Sequence, residues 1–154
     1  MSKAVAKPTE VISLLNGLIE TCRDGQKGFS EAAENLEDSK WKTFCLEQSR
    51  KRGQYVGELQ QQVQQLGGDP ENTGSTGAAI HRAWINLKSA LDAGDASILS
   101  ACEAGEDSAV KEYRKALEKD LPSNVRDLVT QQYQGILSTH DQVKAMRDGA
   151  KASV

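Results

Sequence analysis

Every long segment of this sequence carries apolar residues at alternating three- and four-residue intervals. Each of its 3 prolines, Pro8, Pro70 and Pro122, stands where such a segment begins or ends. A chain built this way is committed to amphipathic helices, and amphipathic helices must bury their stripes against one another. The first stripe is Val11, Leu15, Leu18, Cys22, Phe29, Ala32, Ala33 and Leu36, a helix over about Thr9 to Leu36. Asp38 and Ser39 supply a turn and an N-cap for a second helix, about Lys40 to Leu66, whose stripe holds Trp41, Phe44, Cys45, Tyr55, Val56, Leu59, Val63 and Leu66. So short a connection forces the two helices antiparallel.

Gly67-Gly68-Asp69-Pro70 ends the second helix. A shorter amphipathic helix follows, about Gly77 to Ala93, with Ile80, Trp84, Leu87 and Leu91 on one face. Asp95 is expected to cap the next long helix, which runs to about Lys119 with Leu99, Cys102, Ala109, Val110, Tyr113 and Leu117 inward. After Leu121-Pro122-Ser123, a last helix over about Asn124 to Arg147 buries Val125, Val129, Tyr133, Ile136, Leu137 and Val143, and Gly149 to Val154 should fray. No strand pattern appears. The fold class is therefore all-α: one domain over 1–154, core about 9–148, made of two antiparallel helical hairpins joined by a crossover over about 67–94. Each long helix is roughly 35 to 40 Å by the rise per residue. Glycines 17, 25, 28, 53, 57, 105 and 135 interrupt the helices and are read as points of close helix approach rather than bends.

Composition excludes several classes. The 154 residues suffice for a self-sustaining core. No run approaches the roughly 18 apolar residues of a membrane span, and MSKAVAKPTE is charged where a signal peptide is apolar. A net charge of −3 argues against nucleic acid as a partner. The 3 cysteines, without a CxxC pair, suit a reducing cytoplasm. Met1 and Met146 are the only methionines, so haem finds no support, and no nucleophile–base pair or phosphate loop is visible.

Several polar side chains nevertheless fall on the buried stripes: Gln26, Gln48, Arg52, Glu106 and His140. Folding the hairpins back on themselves brings Glu103 opposite His140 and Glu106 opposite Leu137. A layer of Arg52, Glu106 and His140 at mid-bundle, with Tyr55 or Tyr113 beside it, follows. Buried charge must be paired, so this layer is read as a satisfied network or a binding site.

The strings LLNGLIETCRDGQKGF, HRAWINLKSAL, CEAGEDSAVKEYRKALEKDLP and QQYQGILSTHDQV resemble an uncharacterised bacterial family of ferritin-like four-helix bundles, over about residues 10 to 148. The segment around His81 and Trp84 is the most distinctive. In the wider ferritin-like superfamily, di-iron members place one Glu on each of two helices and an ExxH pair on each of the other two. Carried onto this chain, those positions hold Cys22, Arg52 with Tyr55, Glu106, and Leu137 with His140, and no ExxH occurs anywhere. The resemblance therefore implies a degenerate di-iron site, with a guanidinium, which cannot become a ligand, where a dication would sit. The expected function is that of a soluble, non-enzymatic bundle, stress-related or partner-binding, without a cofactor. The alternative is a metal-dependent oxidoreductase or iron handler using Glu103, Glu106 and His140, with His81 in reach. A homodimer is one assembly open to such a bundle.

Overall fold

The computed structural model describes residues 6–70 and 77–152, the side chains of 77–83 excepted. It contains five helices: α1 (Pro8–Asn35), α2 (Ser39–Gln65), α3 (Gly77–Ala90), α4 (Asp95–Leu117) and α5 (Ser123–Ala152). Among the described residues there is no strand. α1 packs on α2 and α4 on α5 as the two hairpins, α1–α4 and α2–α5 contacts join them, and α3 lies against α1 and α4.

The helix ends follow from local chemistry. Pro8 opens α1, where its missing N–H removes nothing the helix needs. The Asp38 carboxylate accepts the amides of Lys40 and Trp41 at the start of α2. α2 closes in a Schellman arrangement: Gly67, at φ 82°, donates to the Gln64 carbonyl, and Gly68 donates to Val63. Asp95 does not cap its own helix, contrary to the expectation. Gly94, at φ 99°, occupies the cap position, and the Asp95 carboxylate instead accepts the amides of Glu37 and Asp38, tying the α1–α2 turn to the head of α4. α5 also continues past Arg147 to Ala152, because Ala150 is buried in the core at that end of the bundle.

Two apolar clusters fill the interior. One is built around Val11, Leu15, Leu59, Val63 and Val125; the other around Phe29, Cys45, Leu87, Leu99 and Val143. Between them every long helix places something other than a large apolar side chain inward: Gly25 on α1, Gln48 and Arg52 on α2, Glu106 on α4, and Thr139 on α5. The core is thus divided at mid-height by a polar layer.

The interrupting glycines are seats for side chains from neighbouring helices. Trp84 of α3 lies over Gly28 of α1 and Gly105 of α4, and a Cβ at either would overlap the indole. The indole meets Phe29 edge-on, centroids 5.3 Å apart at 71°. This is how the crossover helix is held down. Gly135 on α5 receives the Tyr55 hydroxyl, and Gly25 leaves room for the Arg52 guanidinium, whose Nη1 would lie 2.8 Å from a Cβ at that position.

Candidate functional site

Arg52 is 1% exposed and Glu106 is fully buried. The guanidinium donates from Nη1 to Glu106 Oε1 at 2.7 Å and from Nη2 to Oε2 at 2.5 Å, a bidentate pair. Its carbon also lies 5.5 Å from the centroid of the Phe29 ring, on the side of the second apolar cluster. Burial opposes the charge on Arg52, but the carboxylate of Glu106, through charge and hydrogen bonds, carries its pKa above the ordinary value. The guanidinium is therefore permanently charged at the centre of the bundle.

A second network adjoins the pair. Tyr113, fully buried, donates its hydroxyl to Gln132 Oε1 at 2.7 Å and lies 3.0 Å from the Cys22 sulfur. Gln132 Nε2 in turn donates to Glu58 Oε1 at 3.1 Å, so the chain of hydrogen bonds reaches exposed Glu58. Burial pushes the Cys22 thiol up to about 11, and it pushes Tyr113 well above the usual phenol range. With both groups protonated, the Cys22 thiol donates to Tyr113 oxygen and Tyr113 donates onward to Gln132. On the other side of Arg52, Thr139 donates to Gln48 Oε1 at 2.8 Å. Cys22 and Tyr113 are thus held protonated and hydrogen-bonded within the layer.

The structure brings Arg52 and Glu106 together but does not bring His140 to them. The inward seam of α5 is Val125, Val129, Gln132, Ile136, Thr139 and Val143, a strict alternation of four and three residues. His140 lies one position beside that seam, as do Tyr133 and Leu137, which are only partly buried. Its Nε2 is 2.6 Å from Asp107 Oδ1 and its Nδ1 is 3.3 Å from Asp141 Oδ1. Tyr55 is half-buried, with its hydroxyl against Gly135 rather than in the layer. The place expected for His140 is filled by Thr139, and Tyr113 completes the centre together with Gln132 and Cys22. Gln132 and Thr139 escaped the sequence reading because they are polar and next to more apolar neighbours, although the four–three rhythm passes through both.

The alternative metal set, Glu103, Glu106 and His140, does not form either. Glu106 points inward to Arg52, whereas Glu103 and His140 share the outer α4–α5 groove with Asp107. The side chain of His81 lies outside the described residues. A di-iron group does not fit the central position, since a dication there would face a guanidinium that never loses its proton and that already holds both oxygens of Glu106.

Residues 10–119 match the family described as a domain of unknown function, DUF2383. The chain belongs to that family. Among solved structures, it is similar to a mutant of Dps1 from Mycobacterium smegmatis, with a TM-score of 0.78 over 91% of this chain and 96% of that one, at 19% identity. No curated protein matches the sequence. This DUF2383 member is thus a ferritin-like four-helix bundle with a crossover helix, and no helix among its described residues is long and apolar enough to cross a membrane.

Proposed function

We propose that this bundle is non-enzymatic and that its centre is a degenerate di-iron site, filled by an ion pair in place of a metal. Its role, stress-related or partner-binding, is then exercised from its surface. The observation that carries this reading is the bidentate Arg52–Glu106 pair, buried on both sides. A positive charge fixed by two hydrogen bonds does the electrostatic work a cation would do, and it cannot be exchanged, oxidised or reduced. The surrounding Cys22–Tyr113–Gln132 chain supports it, because these side chains are hydrogen-bonded to one another.

The test is aerobic Fe(II) oxidation by protein purified without chelators. The reading expects a rate equal to that of buffer. A faster rate that persists when His140 is replaced would place redox chemistry in the core and contradict it.

A further inference from the structure

The outer groove between α4 and α5 carries a second grouping that the central layer does not use. Glu103 and Asp107 are one helical turn apart on α4, on the same face, and His140 meets them from α5. One donor atom from each lies within 4.8 Å of the other two. We infer that Glu103, Asp107 and His140 form a surface site for a borderline divalent transition-metal ion, zinc or cobalt in class.

The donor set is mixed, with an imidazole nitrogen and two carboxylates, which suits such ions better than calcium or magnesium. The imidazole is held from both sides. Asp141 faces Nδ1 and Asp107 faces Nε2, and the His140 side chain is only 20% exposed. With Nδ1–H donating to Asp141, the proton given up on metal binding is the one on Nε2, and the lone pair it uncovers faces Glu103 and Asp107. A carboxylate behind a ligating histidine is the usual orienting arrangement in metal sites. A metal ion would take the place of the proton now shared between Nε2 and Asp107, and that proton leaves to solvent. Arg147 pairs with Glu103 through Oε2, which makes Arg147 a competitor for that carboxylate rather than a member of the site. With three protein donors and an open outer side, water completes the coordination.

The site lies outside the Arg52–Glu106 layer and does not depend on the reading of that layer. It is tested with chelator-treated full-length protein titrated with Co2+, followed by visible absorption and calorimetry. The expected result is one equivalent bound, weakened roughly tenfold or more by H140A and by D107N, and unchanged or tightened by R147A. Thermal unfolding of each variant without metal shows that it is folded. In wild-type protein, ring-nitrogen correlation spectra should show the His140 signals, not those of His81, shifting on addition of Zn2+. No binding up to millimolar metal, binding that survives H140A and D107N, or an unmoved His140 ring would each overturn the inference.

Discussion

Trp84 occupies the space that a side chain at Gly105 would need. The same indole covers Gly28, so one aromatic ring from α3 locks into notches on two long helices. G105A and G28A should each force the indole out, destabilising the protein by roughly 1–3 kcal/mol, the range for overpacked cores. Both should also red-shift Trp emission as Trp84 becomes wetter. Gly57 is the control. It lies mid-helix in α2 with nothing within 4 Å of its would-be Cβ. G57A should therefore stabilise the protein by about 0.5–1 kcal/mol in urea unfolding. Equal effects at Gly57 and Gly105 would contradict the seating of α3.

The Arg52–Glu106 pair makes a two-sided prediction. R52E removes the cation and sets two carboxylates against each other in a dry core, so it should cost roughly 3 kcal/mol or more. The double variant R52M/E106L removes both charges and should recover most of that loss, because apolar replacement of a whole buried pair is often neutral or better. Urea unfolding of wild type, R52M, E106L and the double variant measures the coupling, with R52E as the separate like-charge test. A near-neutral R52E would mean that the pair is not buried as described.

Cys22 predicts how stability depends on alkaline pH. Its folded pKa is about 11 against an ordinary 9.0, raised chiefly by burial. In that interval the folded state keeps a proton that the unfolded chain releases. The stability tied to this thiol is therefore complete below about pH 9 and is lost as pH rises toward about 11. The unfolding free energy should fall between about pH 9 and about pH 11, and C22S should fall less steeply, the remainder coming from Tyr113. A C22S profile identical to wild type would remove Cys22 from the account.

Cys45 and Cys102 invite a disulfide reading that the backbone forbids. Both are buried, and a hydrogen bond between them, followed by burial, raises Cys102 well above the usual thiol range. Yet no residue pair between α2 and α4 among those described approaches within 8 Å at Cα, and a disulfide needs about 7 Å or less. Native protein treated with diamide should retain three alkylatable thiols after unfolding in a thiol-free buffer. A Cys45–Cys102 cross-link seen by mass spectrometry would show that the helices approach more closely.

The helices, their breaks and the crossover were legible because apolar periodicity and prolines act locally, residue by residue along one element. Arg52 and Glu106 were legible too, since a charge on a buried stripe has few ways to be satisfied. His140 was not. An apolar scoring of α5 drifts toward Tyr133 and Leu137, whereas the bundle selects the four–three seam through Gln132 and Thr139 because those positions face the other helices. Asp95 misled for a similar reason. Its type is right for a cap, but its partners, the amides of Glu37 and Asp38, lie 58 and 57 residues away in the chain. Pairings of that kind exist only after the hairpins have docked.

We propose that an arginine stands where a metal would otherwise be held. Crystals of protein purified without chelators, soaked anaerobically with Fe(II) and measured on both sides of the iron absorption edge, test it most directly. No anomalous peak is expected between α2 and α4 at the height of Arg52 and Glu106, with the two side chains still joined by paired hydrogen bonds. An iron peak there, with the guanidinium displaced from the carboxylate, would contradict it.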